Sequence, residues 1–176
     1  ILHSEKGGYG LYEDNINGER IGFIEESSWL ELKSCGIQKV RLLGCWIEVP
    51  DVPFTLNTIQ KAKGRCYTFY AFKVIDCQDS KYMEELRLLN EIFEGKSIKI
   101  NLEEASLSEF ARKINSIYSK PKLYLEPVNL LEDGALTFCD ENENSVVSVL
   151  LFLQRFELDI IINDDFVVLR RKIPSS

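Results

Sequence analysis

Histidine is nearly absent from this chain of 176 residues: His3 is the only one. Ser–His–Asp triads, Cys–His pairs and histidine-ligated metal centres go with it, because each needs an imidazole set beside its partners. His3 lies close to the start of the chain and is expected in a frayed terminus. A surplus of positive charge is missing too, with 21 basic against 28 acidic side chains and a formal charge of −7. The deficit is spread evenly, 11 against 15 in residues 1–95 and 10 against 13 in residues 96–176. A nucleic-acid surface needs lysine and arginine gathered on one face, so nucleic acid is excluded as a partner and a basic protein is favoured. No apolar run reaches the ~18 residues that span a bilayer, which excludes a membrane span. The opening residues show no charged-then-apolar signal pattern.

Paired cysteine spacing is also lacking. Cys35, Cys45, Cys66, Cys77 and Cys139 are odd in number and contain no Cys-x-x-Cys, which fits neither a disulfide framework nor a zinc knuckle. Cys45, Cys66 and Cys139 sit among apolar or aromatic neighbours and are expected to behave as small buried hydrophobes. Free thiols favour a cytoplasmic location, with the periplasm as the alternative if an upstream signal segment was removed.

What is present is an ordinary globular composition, 45% hydrophobic and 28% charged. The order of elements predicts an α+β fold: a mostly β N-terminal unit closed by a helix, residues 1–95, followed by a βαββαββ unit, residues 96–176. In the first unit, Tyr9–Tyr12 and Arg20–Ile24 read as a hairpin through Asn17-Gly18. Trp29–Leu32 is compatible with a helical turn or a strand. Gln38–Val49 is β-favouring and is stopped by Pro50. Tyr67–Ile75 has apolar character on both faces and predicts a strand covered on both sides. A helix from about Ser80 to Glu94 follows, capped by Asp79 or Ser80, with Tyr82, Leu86, Leu89 and Phe93 on one face and Gly95 placed to end it.

The second unit opens with a strand at Ile98–Ile100. Ser106 and Glu109 form a capping box for a helix whose Leu107, Phe110, Ala111, Ile114 and Ile117 make an apolar stripe. Short strands at Leu123–Leu125 and Ala135–Phe138 flank a turn at Glu132-Asp133-Gly134. A further helix, Val146–Phe156, is capped by Asn144 or Ser145 and is apolar on nearly all sides, so something other than its own sheet must cover it: the N-terminal unit or a partner. The closing hairpin, Asp159–Leu169, turns at Asn163-Asp164-Asp165 and ends in Arg170-Arg171-Lys172, read as a charged edge that discourages aggregation.

The run Leu102–Phe110, the run Ser145–Leu151 and the terminal hairpin resemble the short N-terminal domain of secretins and TonB receptors over residues 98–170. The resemblance implies small sheets and helices used for protein–protein contact in envelope machines, with no catalytic residues to carry over.

The candidate chemical groups are few. Glu25-Glu26, Glu84-Glu85, Glu103-Glu104 and Asp164-Asp165 are adjacent pairs, and neighbours on a helix or strand point to different faces rather than sharing a proton or a cation. Asp140–Asn144 lacks the glycine and terminal glutamate of a calcium loop. Gly7-Gly8-Tyr9-Gly10 opens no helix and precedes no Lys-Ser/Thr pair, so it is not a phosphate cradle. No catalytic residue, cofactor or metal site is predicted, and the chain is not expected to be an enzyme. The expected function is non-catalytic protein binding through an acidic surface or an exposed sheet edge, with Glu103, Glu104, Asp140, Glu141, Glu143, Asp164 and Asp165 as candidate partner-binding residues. The alternative is a cytosolic immunity protein that neutralises a toxin with a basic active site.

Overall fold

A computed structural model describes residues 2–5, 8–12, 20–35, 40–47, 68–126, 136–138, 143–154 and 158–172, which form the helices and sheets of an α+β protein. Five strands make the first sheet: β1 (Leu2–Glu5), β2 (Gly8–Tyr12), β3 (Arg20–Glu25), β4 (Leu42–Ile47) and β5 (Thr68–Val74), in the order β1-β2-β3-β5-β4. The β2–β3 hairpin forms with Tyr9 opposite Ile24, while its Asn17-Gly18 turn lies outside the described residues. His3 is in β1, paired with Gly10, and not in a frayed end. The segment Leu-His-Ser-Glu has little β pattern of its own, and only the ladder to β2 makes it a strand.

β5 is internal, parallel to β3 and antiparallel to β4, as its two apolar faces predict. Helix α1 (Glu26–Cys35) settles the ambiguity around Trp29 and covers one face, where Leu32 packs on a small cluster of Ile24, Ala71 and Val74. On the other face Tyr70 and Phe72 enter the main core. β4 runs very close to β5: a Cβ at Gly44 would lie 2.3 Å from the Tyr70 carbonyl oxygen, so no other residue fits without moving the backbone. Burial pushes the Cys45 thiol well above its ordinary range, consistent with the apolar role expected of it. Cys77 departs from the free-thiol expectation, because it is disulfide-bonded.

Helix α2 (Ser80–Ile92) starts at Asp79, whose carboxylate accepts the Tyr82 N–H at 2.8 Å, and buries Leu86, Leu89 and Ile92. At its end Glu94 already takes the left-handed conformation (φ 57°), and Gly95 (φ 60°) donates its N–H to the Asn90 carbonyl at 2.9 Å. The turn therefore begins one residue earlier than the glycine suggests. Beyond it come β6 (Ser97–Ile98), β7 (Leu102–Ala105), α3 (Leu107–Asn115), β8 (Leu123–Glu126), β9 (Leu136–Phe138), β10 (Asn144–Ser145), α4 (Val146–Leu153), β11 (Leu158–Ile162) and β12 (Val167–Arg171). They pair as three small sheets, β10-β6, β7-β9 and β11-β12-β8.

The capping box of α3 is present, with the Ser106 hydroxyl accepting the Glu109 N–H and the Glu109 carboxylate accepting the Ser106 N–H. Leu107, Phe110, Ala111 and Ile114 of its stripe are buried, while Ile117, the last expected member, lies beyond the helix end and is half-buried. The expected strand at Ile98–Ile100 is shorter, and Ile100 is buried outside any ladder. β12 is the middle strand of its sheet rather than a charged edge: Arg170 lies opposite Asp159 on one side and Glu126 on the other, so its charge faces carboxylates across both ladders.

All eight residues of α4 are buried. The helix is described over Val146–Leu153, its expected end at Phe156 lies outside the described residues, and Ser145 serves as its cap. The N-terminal unit is its cover. The Phe152 ring packs against Tyr70 at 6.0 Å and Phe72 at 6.2 Å, and one continuous core joins Phe23, Tyr70 and Phe72 to Phe110, Leu150 and Leu169. A polar clip reinforces the contact. The buried Asn144 side chain accepts the Trp46 N–H at 2.7 Å and donates to the Trp46 carbonyl at 3.2 Å, pairing with β4 as a strand residue would.

This continuity makes a prediction. Phe110→Ala, in residues 96–176, is expected to cost about 3–5 kcal/mol. Both tryptophans, Trp29 and Trp46, lie in residues 1–95. Urea unfolding followed by tryptophan fluorescence should nevertheless show the loss, coincident with the circular dichroism transition. An unchanged tryptophan midpoint would mean that the two units unfold separately.

Candidate docking groove

Helix α2 lies alongside α4 and β11, and the channel between them stays open. In its middle, Leu86, Leu88 and Leu89 of α2 face Leu151 of α4 and Ile160 and Ile162 of β11 around a recess of about 290 Å³, whose lining is completed by Tyr82, Glu85 and Gln154. Tyr82, Leu151 and Gln154 are shared with a polar recess of about 400 Å³ at one end, where Glu25, Ser28, Glu31 and Lys73 gather. Leu88 and Ile162 are shared with a recess of about 430 Å³ at the other end, lined by Glu91, Lys122, Asp164 and Asp165. Through these shared residues the three run together as a groove whose middle is mainly apolar and whose ends carry more charge.

At the polar end the charges are already engaged. The Lys73 ammonium lies 3.5 Å from the Glu31 carboxylate and 5.6 Å from the centre of the Tyr82 ring, and Gln78 donates to Glu31 at 3.1 Å. Glu25 is buried, and the Ser27 hydroxyl donates to its carboxylate at 3.4 Å. Burial pushes the Tyr82 hydroxyl up to about 12, with the negative charges of Glu31 and Glu85 adding to the effect. At neutral pH Tyr82 is therefore a neutral phenol that can exchange hydrogen bonds, a wall of the recess rather than a base.

The residues singled out in the sequence are scattered. Asp164 and Asp165 are exposed in the β11–β12 turn and meet Glu91 and Lys122 at the acidic end of the groove. Glu143 is exposed just ahead of β10 and is not among the groove-lining residues. Glu103 and Glu104 belong to β7, and Asp140 and Glu141 lie outside the described residues. Sequence reasoning missed the groove itself. The available signal was Leu88, an apolar residue of α2 that falls off the face shared by Tyr82, Leu86, Leu89 and Phe93 and that has no place in the core. Ile160 and Ile162 gave no signal, because a hairpin strand of isoleucines looks the same whether or not one edge is covered.

Among the described residues no group of three or more histidine, cysteine or acidic side chains could hold a metal ion, and no helix is long and apolar enough to cross a membrane. No protein-family description, curated protein or solved structure matches this chain.

The tyrosines supply a pH prediction. Tyr82 and Tyr118 are both pushed up to about 12 from 10.0, each chiefly by burial. Tyr118 also donates its hydroxyl to the Phe93 carbonyl at 2.8 Å. A raised folded-state value means that the unfolded chain loses these protons first, so their stabilising contribution is complete below about pH 10 and is lost as pH rises towards 12. Spectrophotometric titration should place both among the late phenols, and Glu31→Gln should bring the Tyr82 step down while leaving that of Tyr118 in place. An unmoved Tyr82 step would show that Glu31 does not act on it.

Proposed function

We propose that this protein is a non-catalytic binding protein whose partner is another protein, held along the groove between α2 and β11. One observation carries this: an apolar channel lined by Leu86, Leu88, Leu89, Leu151, Ile160 and Ile162 is left open beside the outer edge of β11. Apolar side chains gathered in a concave recess mark places where a partner inserts its own. The acidic end at Asp164 and Asp165 and the formal charge of −7 favour a basic partner, which electrostatics would steer towards the groove. The resemblance of residues 98–170 to the short N-terminal domain of secretins and TonB receptors, a family used for protein contact, agrees with this function.

Leu88 is the most direct handle, since it lines the groove without belonging to the main core. Immobilised wild-type protein and a Lys99→Ser control, altered at an exposed site, should retain the same specific partner at low salt and release part of it at high salt. Leu88→Glu should fail to retain it while keeping the wild-type circular dichroism and melting temperature. Equal retention by all three proteins would remove the groove from the account. No specific partner, together with turnover in a hydrolase screen, would remove the binding function itself.

A further inference from the structure

Resting on that docking function, we infer that the groove receives an extended strand of the partner, paired to the outer edge of β11, with lysine or arginine at the end that lies over Asp164 and Asp165.

Several strands end their sheets, β1, β4, β7, β8, β9 and β11 among them, and β11 is the one whose residues line the apolar recess. β4 ends the first sheet, and Asn144 occupies the Trp46 N–H and carbonyl there. β8 ends the small sheet on one side, and Asn115 occupies its edge: the side-chain oxygen accepts the Leu123 N–H at 2.9 Å and the side-chain nitrogen donates to the Leu123 carbonyl at 2.9 Å. Two strand edges are thus closed by asparagine amides that imitate a neighbouring strand. Among the described residues no strand pairs with the outer edge of β11. An open edge of this kind is a template for an added strand.

The register specifies what β11 offers. The Asn163 N–H donates to the Phe166 carbonyl at 2.9 Å, which makes this a hydrogen-bonded position of the hairpin. Alternation along an antiparallel ladder then turns the N–H and carbonyl groups of Asp159 and Ile161 towards β12, and those of Ile160 and Ile162 outward. Ile160 and Ile162 also line the apolar recess. One pair of residues therefore presents both backbone hydrogen-bonding groups and an apolar wall, the combination that a strand with alternating apolar residues matches. The middle recess of about 290 Å³ has room for inserted side chains, but not for a helix, which is ~10–12 Å across. At the turn, Asp164 and Asp165 set two carboxylates beside the line that the added strand would follow, and Lys122 is the cation among the lining residues there.

The test uses the full chain and short synthetic peptides of alternating valine and threonine, with a lysine pair at the N-terminal end for antiparallel addition or at the C-terminal end for parallel addition. Fluorescence anisotropy should show saturable binding of one of the two. Amide hydrogen exchange should slow at Ile160 and Ile162 on binding, and N-methylation of a peptide amide facing β11 should weaken binding about tenfold, the scale of a lost hydrogen bond. The double variant Asp164→Asn, Asp165→Asn keeps turn-forming side chains; it should bind more weakly and show a flatter salt dependence. Binding that is indifferent to N-methylation, or matched by a helix-forming peptide of the same composition, would overturn the strand. If neither peptide binds while Leu88→Glu still releases the intact partner, the strand falls and the docking function stands. If neither peptide binds and Leu88→Glu retains the partner, both fall.

Discussion

The contact between helix α4 and the first sheet is the constraint from which the other features follow. Val146 to Leu153 offers no polar face, apart from Ser148, that could be turned to water. Leaving such a helix half exposed would forgo about 1.5–3 kcal/mol for each large apolar side chain uncovered. The sheet meets this need with Tyr70 and Phe72, aromatic residues on the inner face of β5, which receive Phe152 edge-on and tilted. Once α4 is fixed there, α2 lies against it and β11 follows directly after it in the chain. The groove is what remains between these three elements, because α2 spends Leu86, Leu89 and Ile92 on the core and leaves Leu88 outside it.

Hydrogen bonding at the strand ends is governed by two asparagines. Asn144 and Asn115 each carry a donor and an acceptor on one planar amide, and each uses both on a single strand residue, Trp46 and Leu123. A buried edge would otherwise leave backbone groups without partners, at a cost of about 1–3 kcal/mol each. Asn144 acts twice, since its own backbone continues the β10–β6 pairing with Ile98 while its side chain reaches β4. It therefore binds residues on either side of position 95 through polar as well as apolar contacts.

Local features were legible in the sequence. The Ser106–Glu109 capping box, the α3 stripe up to Ile114 and the closing hairpin depend on neighbours a few positions apart, and each formed as expected. The apolar circumference of α4 correctly announced a missing cover, although only the structure shows that residues 1–95 supply it. Long-range pairing was not legible. β1 becomes a strand through β2, β12 is central because β8 joins it in parallel, and Cys77 is bonded to a sulfur that spacing did not indicate. The candidate acidic residues were chosen as local runs, yet the groove joins Glu25, Tyr82, Leu151 and Asp164, residues spread over most of the chain. Sequence patterns carry burial and turns well, but a concave surface exists only after the elements have been placed.

The most direct measurement is to produce residues 1–95 and 96–176 separately and record the circular dichroism and urea unfolding of each, alone and mixed. If the first sheet is the cover that α4 requires, residues 96–176 alone will lack a cooperative transition and will bind an apolar dye, and mixing will restore cooperative unfolding and release the dye. A cooperative transition of residues 96–176 on their own, unchanged by addition of residues 1–95, would contradict the account.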